Sequence, residues 1–286
     1  MRIALPRWRN AGLGPDRLDA HVRIVRRLTD AGPLDLVVFP ELSLRGYPVR
    51  DHDGDGRRAR ATAAEHAALA AAAEPLDGSR AVETLAGLAA ERGCAIVFGL
   101  AEVGDGAVHD TVVMVDSRGA VSSYRKVHLT DDELRIFAPG TGAVVVPAVI
   151  GAGTAAIPVG LSSCYDKQFP LLYQDQRDLG ARLSIISSAW SSSRPGPRRG
   201  GPDDVLLMQS QLFDRARAAE TGMVVVSTNY VGAKLPGSPA AFCGGARVID
   251  PLGRETAPEG GVAGRRIWQI DLPPVLDAAV VVHADS

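Results

Sequence analysis

The chain has 286 residues, and its Lys+Arg 31 against Asp+Glu 33 leaves a net charge of −2, so it carries no basic footprint for a nucleic-acid backbone. The opening Met1-Arg-Ile-Ala-Leu-Pro-Arg-Trp-Arg-Asn10 breaks off before a signal-peptide core forms, and no stretch approaches the ~18 apolar residues of a membrane span. Three widely spaced cysteines (Cys94, Cys164, Cys243) exclude a disulfide framework and a zinc ribbon, so the expectation is a cytoplasmic globular protein, with 46% of its residues apolar.

In chain order, residues 3–5 form a short apolar run. Through 16–29, Leu18, Val22, Val25 and Leu28 recur at helical spacing until Gly32-Pro33 stops the helix. Residues 34–39 predict a buried strand that ends at Pro40. Propensity predicts helix over 61–73 and 79–92, and Gly93 closes the second before a strand over 94–100. Further strands are predicted at 111–116, 122–127, 143–150, 155–162, 183–187, 224–228, 246–250 and 265–270, with helices at 171–179 and 205–221. Val- and Ile-rich strands interleaved with helices predict an α/β fold with both sheet faces covered. Two polar loops, 50–60 and 191–204, lack the composition shift of a linker. Residues 1–286 are therefore expected to form one domain, with these loops as rims of a site.

Several motif matches are discounted on their chemistry. Asp51, Asp53, Asp55 and Gly56 fit half a calcium loop, but Thr62 stands where a bidentate Glu is required, and Arg57 and Arg58 intrude. The Gly151-Ala-Gly153 stretch mimics a dinucleotide fingerprint, yet Ile157-Pro158-Val159 continues as strand where that motif must open a helix. No G-x-S-x-G elbow and no H-E-x-x-H occurs, and the histidines form no ligand cluster. No metal site is expected.

Three residues remain, each at the C-terminal end of a predicted strand, where open α/β sheets bind ligands. They are Glu41, Lys126 and Cys164. Singly, each has a bland explanation: a buried small hydrophobe for the Cys, a helix-start charge for the Glu, an edge-strand charge for the Lys. Jointly they supply what attack on an acyl carbon needs. A thiol with a reference pKa of about 8.5 needs a base or cation beside it, and Glu41 and Lys126 are those two groups. The backbone N–H of Tyr165 is a natural second oxyanion donor beside Lys126.

These residues carry a family resemblance that runs nearly end to end. The sequence resembles the nitrilase superfamily, the carbon–nitrogen hydrolases, whose catalytic set is Glu, Lys and Cys. Phe39-Pro-Glu-Leu-Ser-Leu-Arg-Gly-Tyr-Pro48 looks like its glutamate motif, Tyr124-Arg-Lys-Val-His-Leu129 its lysine motif, and Cys164-Tyr-Asp-Lys-Gln-Phe-Pro170 its cysteine motif. Arg215-Ala-Arg-Ala-Ala-Glu220 and Gly244-Gly-Ala-Arg-Val-Ile-Asp-Pro251 match later, mainly structural blocks. The resemblance implies a four-layer α-β-β-α sandwich, a homodimer or higher homo-oligomer, and no cofactor. It also implies that Glu133, ahead of Phe137-Ala-Pro-Gly140, holds Lys126. Tyr165, Lys167 and Trp190 are the candidates for oxyanion and substrate contacts, and Lys167, Arg194, Arg198 and Arg199 for a substrate carboxylate.

The implied activity is hydrolysis of a small linear amide or N-carbamoyl compound through a cysteine thioester. Nitrile hydrolysis, acyl transfer to an amine and a catalytically silent binding role stay open. Leu171, Lys167-Gln168 and Thr221 depart from the common family pattern, which bears on specificity rather than on the catalytic groups.

Overall fold

Strands buried on both faces need apolar residues at every position, and the five-residue run Leu36-Val-Val-Phe-Pro40 meets that demand without alternation. The computed structural model describes residues 1–10, 13, 16–48, 63–193, 203–234, 241–258, 261–262 and 265–272. The first elements are β1 (Arg2–Ala4), α1 (Leu18–Asp30), β2 (Leu36–Val38), α2 (Ala63–Ala72), α3 (Arg80–Arg92), β3 (Ala95–Gly104), β4 (Ala107–Val115) and β5 (Val121–Arg125). They continue with β6 (Val144–Val149), β7 (Ala156–Ser163), α4 (Pro170–Asp178), β8 (Leu183–Ser188), α5 (Val205–Thr221) and β9 (Val224–Asn229). The last are β10 (Val231–Ala233), β11 (Ala241–Cys243), β12 (Arg247–Ile249), β13 (Gly261–Val262) and β14 (Arg265–Gln269).

One sheet has the order β13-β14-β1-β2-β3-β4-β5 and the other β12-β9-β8-β7-β6. Each has a parallel centre, β1-β2-β3 in the first and β7-β8-β9 in the second, with antiparallel strands outside it. Face alternation then assigns the layers. Ile3, Leu36, Val38, Ala95, Val97, Val112 and Met114 share a core with Val159, Leu161, Leu183 and Ile185 of the second sheet. Their strand neighbours Ala4, Val37, Ile96, Phe98, Val113 and Val115 pack instead against Val25 and Leu28 of α1 and Leu85 and Leu88 of α3. Leu172 and Tyr173 of α4 and Ala218 of α5 cover the second sheet. The result is the expected four-layer α-β-β-α sandwich. Each large aliphatic side chain buried this way contributes about 1.5–3 kcal/mol.

Helix ends follow local chemistry. Ser79 caps α3 by accepting from the Val82 N–H, and Gly93 ends it at φ +59. Asp204 caps α5 through the Leu207 N–H, and Gly222 ends it at φ +70, so its bounds coincide with the predicted ones. The stretch at 150–155 is a turn between β6 and β7, as expected. The predicted strand over 122–127 is cut short, because Lys126 and Val127 leave the sheet after Arg125. The brief strands β10, β11 and β13 are too short for a periodic signal. The calcium-like loop and the three loop arginines lie outside the described residues. No described helix is long and apolar enough to cross a membrane.

One buried polar contact ties α1 to the turn after β2. His21 is fully buried, with Nδ1 2.9 Å from the Arg17 carbonyl and Nε2 3.0 Å from Ser43 Oγ. The carbonyl can only accept, so Nδ1 carries the hydrogen and Nε2 accepts from the Ser43 hydroxyl. The ring packs 4.3 Å from Phe39 and 4.4 Å from Trp8. Burial lowers the imidazole pKa from 6.5 to about 3. Between those values the unfolded chain binds a proton that the folded chain refuses, so stability falls as pH drops from 6.5 towards 3. Urea unfolding at pH 7, 6 and 5 should show this loss. In His21→Gln the acid slope should be shallower by up to about 1.4 kcal/mol per pH unit.

Candidate active site

Glu41 sits where the chain leaves β2. Pro40 ends the strand, and Leu42 turns it sharply at φ +48, a conformation uncommon for a side chain with a Cβ. The turn lies directly on Gly99 of β3. A Cβ there would come within 2.3 Å of the Leu42 nitrogen. The Gly99 carbonyl also accepts from the Leu44 N–H at 3.0 Å, and the Tyr230 hydroxyl donates to the Glu41 carbonyl at 2.8 Å. The backbone of Glu41 is thus held from β3 and from the end of β9.

Lys126 follows β5, pinned by its N–H to the Asp110 carbonyl at 2.8 Å and by its own carbonyl to the Gly140 N–H at 2.8 Å. Its fully buried ammonium lies 2.5 Å from Glu41 Oε1, 2.8 Å from Glu133 Oε1 and 3.6 Å from Asp110 Oδ2. These three carboxyl groups have oxygens within 4.8 Å of one another, and the cation they surround is Lys126. Burial pushes the ammonium down, but the charges of Glu133 and Glu41 outweigh it and hold its pKa well above the ordinary lysine value. Burial likewise pushes the Glu133 carboxyl up. The Lys126 charge and the hydrogen bonds from Lys126, Tyr47 and Thr130 more than reverse that, so it stays ionised. The Tyr47 hydroxyl donates to Glu133 Oε1 at 2.6 Å and the Thr130 N–H to Oε2 at 2.8 Å.

Cys164 opens a 3-10 turn, Cys164–Gln168, at the end of β7, with φ +45. The residue before it reaches Glu41, since Ser163 Oγ donates to Glu41 Oε1 at 3.1 Å. The residue two positions later fixes the turn. Asp166 is fully buried and accepts from the Ser163 N–H at 2.9 Å, the Tyr124 hydroxyl at 2.8 Å and the His128 N–H at 2.9 Å. One carboxylate therefore joins the cysteine turn to the segment that carries Lys126. Burial and the nearby Glu41 charge raise the Cys164 thiol well above its ordinary pKa, opposed by Lys126. A thiol raised in this way attacks an acyl carbon only with a base beside it.

Glu41, Lys126, Glu133 and Cys164 are thus brought together. Trp190 joins them, packing with Cys164 and Cys243 in one apolar cluster beside Leu206, Leu207 and Phe213. Tyr165 sits in the cysteine turn, its ring edge-on to Phe169. Lys167 is used differently from the expectation of a substrate contact. Its buried ammonium pairs with Asp214 of α5 at 2.8 Å, next to Arg247, which also pairs with Asp214. Leu171 is 70% exposed at the start of α4, and the Thr221 hydroxyl bonds the Arg217 carbonyl at the end of α5. Both departures from the family pattern have local structural settings. Asp110, Asp166, Tyr47 and Gly99 were not singled out from the sequence. Tyr47 and Asp166 lie inside the quoted motifs, whereas Asp110 and Gly99 carry no sequence signal.

The carbon-nitrogen hydrolase family model matches residues 15–272. The chain belongs to the carbon-nitrogen hydrolase family. Among curated relatives, an (R)-stereoselective amidase from Pseudomonas sp is 32% identical over 85% of this chain and 76% of its own length. An amidase of known structure from Nesterenkonia sp. is 27% identical, with a TM-score of 0.64 over 93% of this chain and 89% of that one. Nit3 of Saccharomyces cerevisiae, a nitrilase-superfamily member, shares the fold with a TM-score of 0.70 at 22% identity, over 94% and 89% of the two chains. As a carbon-nitrogen hydrolase the protein acts on C–N bonds other than peptide bonds, and several of its curated relatives are amidases. Gly99→Ala should displace the Glu41 turn. Overpacking of this kind costs about 1–3 kcal/mol. The variant should show a lowered Tm and a fall in amide hydrolysis larger than the stability loss alone explains, measured by ammonia release from folded protein.

Proposed function

We propose that this hydrolase cleaves a small linear amide or N-carbamoyl compound through a thioester on Cys164. The observation that carries the reading is the buried Glu41–Lys126–Glu133 cluster, tied by Ser163 to the turn that presents Cys164. Glu41 accepts the thiol proton as sulfur attacks the carbonyl carbon. Lys126 and the Tyr165 N–H stabilise the oxyanion of the tetrahedral intermediate. The intermediate collapses with loss of ammonia or an amine, which takes the proton back from Glu41. Water then attacks the thioester, giving its proton to Glu41, and the acid leaves as the thiol re-forms. Glu133 holds the ammonium in place throughout. The positive φ of Cys164 supports the same reading, since strain of about 1–3 kcal/mol at a nucleophile is kept where the surroundings over-determine it.

A homodimer is proposed on the helical face of the second sheet. Val205, Met208 and Leu212 fall at i, i+3 and i+7 of α5 and are 50%, 55% and 61% exposed, beside exposed Leu171 and Leu179 on α4 and its cap. A Met208→Glu, Leu212→Glu double variant should sediment as a folded monomer; an unchanged dimer would place the interface elsewhere.

The activity is tested by ammonia release from a panel of linear amides, ureido acids and nitriles, with Cys164→Ala alongside. The expected outcome is release by the native protein, best on amides or ureido acids, and none above background from the variant. Nitriles as best substrate would reassign the subclass. Faster product formation with an added amine acceptor would indicate acyl transfer. Equal release by Cys164→Ala would remove the thioester from the mechanism. Losing an oxyanion donor costs about 3–4 kcal/mol of barrier, so a folded Lys126→Met should lose at least about 100-fold in kcat.

A further inference from the structure

The mechanism above leaves Asp110 without a task, although it is 1% exposed and stands at the centre of the site. It lies on β4 opposite Ala101, and its carbonyl already holds the Lys126 N–H. Its carboxyl group faces Glu41 from the turn after β2, Lys126 from the segment after β5, Glu133 from the 3-10 turn Glu133–Arg135, and Tyr230 from the end of β9. Neither of its oxygens accepts a hydrogen bond from any donor among the described residues, and Glu41 Oε2 accepts none either. Yet an oxygen of each lies within 4.8 Å of an oxygen of the other, and the Glu41 charge acts on Asp110. Two ionised carboxylates so placed would repel in a buried site, whereas one proton between them satisfies both.

The neighbours decide which residue carries that proton. Glu41 has an ammonium at 2.5 Å and a serine hydroxyl at 3.1 Å, both of which favour its charged form. Asp110 has only the same ammonium, at 3.6 Å, and no donor. We propose that Asp110 is a positioning residue, a neutral carboxylic acid that donates its hydrogen to the Glu41 carboxylate and fixes the orientation in which Glu41 meets the Cys164 thiol. Burial and the Glu41 charge, which raise the Asp110 pKa well above the carboxylate range, agree with this assignment. With Asp110 neutral, Glu41, Glu133 and Lys126 sum to one negative charge rather than two.

The proposal rests on the hydrolase chemistry above, and its test separates the two. Asp110→Asn keeps a hydrogen-bond donor without a titratable proton, whereas Asp110→Ala removes the donor. The readouts are kcat, the rate at which iodoacetamide alkylates Cys164, and the infrared carbonyl band of a protonated carboxylic acid at neutral pH. A hydrogen bond to a charged group is worth about 10- to 100-fold, so Asp110→Ala should lose that much in kcat and alkylation with KM nearly constant. Asp110→Asn should recover most of the loss, and the acid band should be present in the native protein and missing from Asp110→Asn. Equal losses in two folded variants would show that the site needs an anion there, and native rates in both would show Asp110 idle; either overturns the proposal. Should Asp110→Ala not fold, the acid band decides alone, and its absence from the native spectrum overturns the proposal. Native Cys164 that alkylates no faster than buried Cys94 would instead overturn the thioester reading, with the band still deciding the state of Asp110.

Discussion

The site depends on one buried cation. Three acidic side chains from β4, the turn after β2 and the 3-10 turn at 133 converge on a place without solvent. Removing an ion from water costs several kcal/mol, and each charge there is tolerable only because Lys126 faces them all. Unit charges 4 Å apart interact by about 4 kcal/mol at the effective dielectric of a protein, so two close contacts offset much of that cost. The dependence is mutual. Burial alone would favour a neutral amine, and an amine could neither anchor Glu133 nor stabilise an oxyanion. The charges of Glu133 and Glu41 keep the ammonium charged, and the ammonium in turn keeps Glu133 ionised.

This arrangement explains why a cysteine whose thiol is raised by burial still suits the proposed chemistry. A depressed thiol pKa would give a resting thiolate, a reactive but weaker nucleophile, open to oxidation. Burial raises the Cys164 thiol instead, so in the proposed mechanism it keeps its proton until Glu41 removes it, and reactivity is coupled to a bound acyl group. Cys94 and Cys243 show the contrast: burial raises them to about 12 and about 11, and the charges near them are those of Asp35, or of Lys167, Arg247, Asp204 and Asp214, whereas Cys164 faces Glu41, Lys126 and Glu133. Environment separates one cysteine from the other two, not residue type.

Much of the architecture was legible because its signals are local. Asp204 and Gly222 mark both ends of α5, Ser79 and Gly93 those of α3, and apolar runs of β-branched residues mark the central strands. The three chemical residues were legible through their motifs, since each follows a strand end. Asp110 was not. It precedes a run of apolar strand residues and looks there like an ordinary edge polar group; its meaning arises only when β4 is laid beside β5 and the turn after β2. Gly99 was equally silent, because the need for a missing Cβ comes from a backbone 57 positions earlier in sequence. Lys167 is the opposite case. Its place in the cysteine motif suggests the pocket, and the structure adds a pairing with Asp214 of α5 that the sequence does not signal.

The position of the site follows from where polar contacts cross between the sheets. Over most of their facing area the sheets meet through aliphatic side chains, which are non-directional and fix distance better than register. At the site end the contacts change character. Ser187 of β8 donates to the Phe39 carbonyl at 3.1 Å, Ser163 of β7 to Glu41 at 3.1 Å, and Tyr124 of β5 to Asp166 at 2.8 Å. Each bond joins one sheet to the other beside a chemical residue. Hydrogen bonds are directional, so three of them set the relative register of two sheets that apolar packing alone would leave less defined. Glu41 and Lys126 come from the first sheet and Cys164 from the second, so their alignment is a property of sheet-to-sheet packing rather than of any single loop. The positive-φ turns at Leu42 and Cys164 sit on opposite sides of this junction, each next to a residue that one of these hydrogen bonds holds, and such backbone persists where the surroundings over-determine it.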